Sequence, residues 1–188
     1  MNDILKILKE TGAILTGHFL LSSGLHSDTY FQMAIIFQYP DYGQILCENL
    51  ANNFKEKKIN VVIGPAIGGI IISYELARIL KARSIFAERE EGKMKLRRGF
   101  KIEKGEKVLI CEDVITTGGS VREIIDIVEK VKGQIEGIGC IVERGKIEFN
   151  YPLRSLVKLE VKNYNSSECP LCKRGIPLVK PGSKNIDL

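Results

Sequence analysis

The sequence predicts an α/β fold: an open, mainly parallel sheet with helices on both faces. From residue 60 onward, short β-rich apolar runs alternate with helical patterns in units of about 20 to 35 residues. The chain of 188 residues, 44% hydrophobic, is long enough for one substantial core. Glycine-rich or charged segments follow the apolar runs directly, where an open parallel sheet places its ligands.

The elements follow in order. Residues 2–11 form a short helical pattern stopped by Gly12, with Ile4, Leu5 and Leu8 on one face. GHFLLSSGLHSDTYF then alternates apolar and small polar residues around Gly24, which fits either a hairpin or an irregular segment covering a ligand. Pro40 opens a helix expected to run to Lys57, its apolar stripe being Ile45, Leu46, Leu50 and Phe54. VVIG (61–64) reads as the first strand of the regular region, GPAIGG as a turn and IISYELARIL as a helix. SIFAE (84–88) is a second strand and KVLIC (107–111) a third. SVREIIDIVEKVK is a helix ended by Gly133, and GIGCIVE (137–143) a fourth strand. From about Asn163 periodicity fades into a segment with CPLC and three prolines, expected to be an irregular tail.

Composition narrows the function classes. A formal charge of +5 suits an anionic substrate as well as a solvated surface. MNDILKILKE lacks the basic and apolar regions of a secretory signal, and no apolar run approaches the roughly 20 residues that span a bilayer. Five scattered cysteines are not a disulfide framework. A cytoplasmic chain without a membrane partner is the expectation. No separate helix-turn-helix domain is present, so no nucleic-acid partner is expected either.

The stretch VLICEDVITTGGSV (108–121) carries the chemistry. Ser120 with Glu123 three residues on reads as a capping box that starts a helix near Val121. The amides ahead of that helix, with Gly118 and Gly119 allowing close approach, form an anion site suited to phosphate. Glu112 and Asp113 cannot sit on the phosphate itself, but they can accept hydrogen bonds from nearby hydroxyls. A diol a few ångströms from a phosphate describes ribose 5-phosphate. The dinucleotide fingerprint has a different spacing, and the Walker pattern is missing.

VLICEDVITTGGS resembles the phosphoribosyl pyrophosphate (PRPP) signature of type I phosphoribosyltransferases. GHFLLSSGLHSDTYF, GPAIGG, Arg144 after the fourth strand and the segment ECPLCKRGIPL make most of the chain similar to the orotate phosphoribosyltransferase family, in its short bacterial form. The resemblance implies transfer of the phosphoribosyl group from PRPP to orotate, giving orotidine 5′-monophosphate and pyrophosphate in pyrimidine biosynthesis. It implies a single domain over 1–188: a small hood from residues 1–40 and the C-terminal segment, a core over 41–160, and the tail over about 163–188. Glu112 and Asp113 would hold the ribose hydroxyls and serve catalysis, with Arg89 and Lys93 as the chosen loop cations. Val114, Ile115, Thr116, Thr117, Gly118, Gly119 and Ser120 would bind PRPP around its 5-phosphate, and Ile67 and Gly68, in the Gly64–Gly69 turn, its pyrophosphate. Thr116, Arg144, Tyr30 and Phe31 would contact orotate. The better-known long enzymes carry lysines where this chain has Gly68 and Ser22, so backbone amides of the glycine turn are left to receive pyrophosphate. Mg²⁺ would arrive with PRPP, and a homodimer would share a loop across subunits.

Between Arg89 and Lys104 stand seven Lys or Arg residues against three acids, with Gly92 and Gly99 as hinges. This segment reads as a flap over a pyrophosphate leaving group, or as a solvated hairpin joining two strands. His18 and His26 are surface or packing residues rather than catalytic ones. Cys169 and Cys172 form half of a zinc-ribbon knuckle, but no second pair exists in the chain; two subunits could share a metal, and a packed, reduced turn is the other reading. Cys111 and Cys140 lie in apolar strands and belong to the core. Two other functions stay open: a phosphoribosyltransferase for a purine base, and a PRPP-binding regulator without turnover.

Overall fold

A computed structural model of the chain describes residues 2–21 and 23–181. Ser22 lies outside the described residues. Helix α1 (Asn2–Glu10) leads into a hairpin of β1 (Ile14–Leu20) and β2 (His26–Phe31), and a 3₁₀ turn over Met33–Gln38 leads to α2 (Pro40–Ala51). The regular region then runs β3 (Val61–Pro65), α3 (Gly68–Leu80), β4 (Arg83–Glu90), β5 (Lys93–Leu96), β6 (Lys107–Ile115), α4 (Gly119–Lys130), β7 (Gln134–Arg144) and β8 (Leu153–Leu159). A two-residue strand β9 (Asn163–Tyr164) and a single helical turn α5 (Pro170–Lys173) complete it.

The main sheet has the order β5-β4-β3-β6-β7-β8, all neighbours parallel except the β4–β5 hairpin. Its two faces bury separate apolar layers. Leu46, Leu50 and Phe54 with Ile72 and Leu76 of α3 cover one face, and Val121, Ile124 and Val128 of α4 cover the other. The central strands are buried on both sides, which explains why VVIG and VLIC read as unbroken apolar runs rather than alternating ones. Among the described residues no helix is long and apolar enough to cross a membrane.

Several boundaries differ from the sequence expectation. The α2 helix stops at Ala51, and tight turns carry the chain through Phe54, because two asparagines interrupt the helical run. The α3 helix starts three residues early, within the glycine pair, whose low helix propensity hid it. Strand β8 was not anticipated, although LRSLVKL is β-compatible and pairs with β7 along its length. The segment from Asn163 has little regular structure, yet it is tied down: β9 pairs with β2, and Val179 bonds to both His18 and Leu20 of β1.

Phe54 sits on Gly137 and Gly139 of β7, where an added Cβ would lie 2.9 and 3.3 Å from its ring. The two glycines make the space into which the ring packs. Phe54→Ala should lower the unfolding free energy by about 3–5 kcal/mol, read from urea titration; a loss under about 1 kcal/mol would show that the ring is not a principal contact of that layer.

Candidate active site

β3 and β6 are the two strands from which the chain winds in opposite directions, and a crevice opens between their carboxyl ends. Their pairing ends at Ile63↔Ile110, while β6 stays paired with β7 through Ile115↔Glu143. β6 therefore runs on past β3 with one edge free, and Glu112 and Asp113 lie on this free portion. The Gly64–Gly69 turn after β3 closes against it. A Cβ on Gly68 would fall 2.5 Å from Asp113 Oδ2, and one on Gly64 would fall 2.5 Å from the Gly69 carbonyl. In this chain a lysine at position 68 would collide with the very carboxylate that the turn must approach.

The two acids touch one another and are mostly withdrawn from water. Burial first, and the neighbouring Asp113 second, push the Glu112 carboxyl up to about 9. Burial likewise raises Asp113, opposed by the Val114 amide, which donates to Asp113 Oδ1 at 2.8 Å. Neither forms an ion pair with a described lysine or arginine. Burial and proximity favour the protonated form of Glu112 and, with no described lysine or arginine paired to them, leave the two acids open to hydroxyl donors or a cation.

Beyond them Glu112 and Val114–Val121 line a cup of about 70 Å³. Gly118, at φ 76°, caps α4 in the left-handed conformation and packs beneath the Phe149 ring, which would lie 2.7 Å from a Cβ. The expected capping box is absent. The helix begins at Gly119 rather than near Val121 and has no side-chain cap, because its N-cap is Gly118, and Glu123 is engaged elsewhere. Its carboxylate accepts hydrogen bonds from Arg89 and from the Met94 amide at 3.0 Å. The start of α4 therefore leaves its first backbone amides without a side-chain acceptor.

A second cavity of about 690 Å³ joins the cup to the hood. Tyr30, Phe31, Asp113, Val114, Thr116, Thr117, Arg144 and Asn163 line it together with Leu20, Leu21, Ser23, Leu25, Lys180 and Pro181. Arg144 at the end of β7 donates to Ser27 Oγ at 2.9 Å and to Asn163 Oδ1, and its guanidinium lies 5.8 Å from the Phe31 ring centre. Its Nε is buried without a hydrogen-bond partner among the described residues. Burial lowers its affinity for the proton, so an anion would be welcome there.

The structure thus brings together Glu112, Asp113, the 114–120 loop, Tyr30, Phe31, Thr116 and Arg144, with Gly68 against Asp113. Ile67 in the same turn points outward and is exposed. Arg89 and Lys93 line neither cavity. They belong to the β4–β5 hairpin, whose Glu91-Gly92 turn has φ of 51° and 78°, and Arg89 is held by Glu123 and the Gly92 carbonyl. The first part of the segment is therefore a β-hairpin. Asn163 and Ser27, which orient Arg144, escaped sequence reasoning because nothing local links positions 117 and 19 residues away to it.

The phosphoribosyl transferase domain family matches residues 36–150. Orotate phosphoribosyltransferases from Thermoanaerobacter sp. and Caldanaerobacter subterraneus are 59% and 58% identical, each alignment spanning 97% of this chain and 97% of the relative. The chain belongs to the orotate phosphoribosyltransferase family. Among solved structures, the orotate phosphoribosyltransferase of Aeropyrum pernix superposes with a TM-score of 0.67 at 25% identity, over 82% of this chain and 93% of that one. An adenine phosphoribosyltransferase from Rhodothermus marinus reaches 0.70 at 22% identity, over 85% and 100%, which shows the shared fold. In this orotate phosphoribosyltransferase family member the core sheet supplies the acids and the loop, and the hood supplies the aromatic wall.

Glu112 offers a direct test of the burial. Burial pushes its carboxyl up to about 9 from an ordinary 4.5, so between those values the folded state holds a proton that the unfolded state has lost. Stability then falls as pH rises between those two values and levels off above the upper one. Glu112→Gln removes this penalty. Its melting temperature should exceed that of the parent by a few degrees at pH 8 and by much less at pH 5, measured by calorimetry without ligand. A difference that is flat with pH would show that Glu112 is not buried as described.

Proposed function

We infer that the chain transfers the phosphoribosyl group of PRPP to N1 of orotate, releasing pyrophosphate and forming orotidine 5′-monophosphate for pyrimidine biosynthesis. The observation that carries this reading is the joining of a diacid-and-phosphate cup to a cavity holding Arg144 with an unpartnered, buried Nε. The relatives' shared name supports the same reaction.

The roles follow from the chemistry. Amides and hydroxyls of Thr116–Ser120 hold the 5-phosphate at the start of α4. Glu112 and Asp113 accept hydrogen bonds from the ribose 2′- and 3′-hydroxyls and favour the positive charge that develops on the sugar as the pyrophosphate bond lengthens. The Gly64–Gly69 turn receives the departing pyrophosphate through its backbone. Arg144 pairs with the orotate carboxylate, and Tyr30 and Phe31 flank the ring, so that N1 faces the anomeric carbon. No side chain acts as a nucleophile.

Magnesium fits beside the two acids, which are hard oxygen donors, withdrawn from water and without a counter-charge. When bound with PRPP it supplies charge neutralisation at the leaving group. The β4–β5 hairpin, with Arg89 and Lys93, acts on pyrophosphate only by swinging away from Glu123 or by reaching a second subunit's site.

A homodimer is supported by Ile67, Ile71 and Tyr74, which share one face of the α3 start and are 85%, 49% and 66% exposed. Light scattering should give twice the chain mass, and Ile71→Asp should halve it; a monomeric parent protein would remove this reading. We place the chain in the cytoplasm, in keeping with its five free cysteines.

Incubation with PRPP, Mg²⁺ and orotate should consume orotate absorbance, with adenine, hypoxanthine and uracil inert. Arg144→Ala should raise the orotate KM by about 10²-fold or more while changing the PRPP KM little. Equal effects on both substrates would remove Arg144 from the base site, and turnover with a purine alone would replace orotate as the substrate.

A further inference from the structure

His18, His26, Cys169 and Cys172 converge in the hood, and their ligand atoms all lie within 4.8 Å of one another. His18 Nε2 is 2.9 Å from His26 Nδ1, 3.5 Å from Cys169 Sγ and 3.8 Å from Cys172 Sγ, and His26 Nδ1 is 3.3 Å from Cys172 Sγ. A tetrahedral zinc with Zn–N near 2.0–2.1 Å and Zn–S near 2.3 Å sets ligand atoms roughly 3.3–3.8 Å apart. The observed separations bracket this range. Both histidines and Cys169 are buried, at 2%, 5% and 0% exposure, and the two thiols are not joined in a disulfide.

The surroundings prepare the nitrogens for a metal. His18 Nδ1 lies 2.7 Å from the Ile176 carbonyl, which can only accept, so the proton sits on Nδ1 and the Nε2 lone pair faces the thiols. That carbonyl is delivered by the knuckle itself. The Lys173 amide bonds back to Cys169, Gly175 turns the chain at φ 67°, and the Ile176 amide returns to Leu171. One segment thus supplies two sulfur ligands and the partner that orients a nitrogen ligand.

We propose that this chain binds one structural zinc ion through His18 Nε2, His26 Nδ1, Cys169 Sγ and Cys172 Sγ, all from the same subunit. A soft-and-borderline S₂N₂ set in a closed tetrahedral arrangement favours zinc over magnesium or calcium. The second ligand pair missing from the CPLC segment is the two histidines of β1 and β2. The ion staples the C-terminal segment to the hood hairpin. Val179 pairs with β1 just beyond the knuckle, and Lys180 and Pro181 then form one wall of the large cavity.

The test uses the full chain, expressed without a histidine tag and purified in reductant without chelator. Elemental analysis should give one zinc per chain, and the Cys169→Ser, Cys172→Ser double variant should carry none. Where that variant is insoluble, the parent protein is stripped with chelator and titrated with cobalt(II). One equivalent should produce intense tetrahedral ligand-field bands with thiolate-to-cobalt charge transfer, abolished by adding zinc. The melting temperature of the stripped protein should fall and recover with zinc. Protein that is metal-free as purified and gives no thiolate–cobalt spectrum overturns the proposal, and so does full zinc content in the double variant. Neither readout depends on turnover.

Discussion

Two adjacent carboxyl groups at the end of a central parallel strand constrain much of what surrounds them. Withdrawn from water and without a paired cation among the described residues, Glu112 and Asp113 are an unfavourable thing to place at the edge of a core. The sheet accommodates them by letting β6 outrun β3, so that one side of the strand end faces a crevice rather than a neighbour. The glycine turn after β3 comes so close that a Cβ at position 68 would meet the Asp113 carboxylate. The two apolar layers under the strand, one against α2 and α3 and one against α4, stabilise the frame that holds the acids in place.

What could be read in the sequence follows from how local each signal was. VLICEDVITTGG disclosed its strand, its acids and the turn before α4 because an apolar run ending in two acids contradicts ordinary core composition. Ser120 and Glu123 had the right spacing for a cap, yet Arg89 and the Met94 amide, about thirty positions away, hold the glutamate instead. Propensity hid the start of α3 in a glycine pair, and β8 carried too weak an alternation to stand out. The histidines illustrate the limit. Each was unremarkable in its own segment, and only the β1–β2 hairpin and a contact across 151 positions bring them to Cys169.

Recognition is divided between two layers of the molecule. The main sheet provides Glu112, Asp113 and the 114–120 loop, whereas the hood provides Tyr30 and Phe31, and the guanidinium that meets them comes from β7. Arg144 joins the layers, since its anchors Ser27 and Asn163 are paired to one another across β2 and β9. The position of Arg144 therefore depends on the β2–β9 pairing as much as on its own strand.

The pairing of β2 with β9 has a consequence for synthesis of the chain. Elements emerge from the ribosome in order, and the sheet through β7 can assemble while the last residues are still enclosed. At that stage Arg144 lacks Asn163 and the hairpin lacks its third strand. The anchoring of Arg144 is therefore among the later contacts to be completed as the chain emerges.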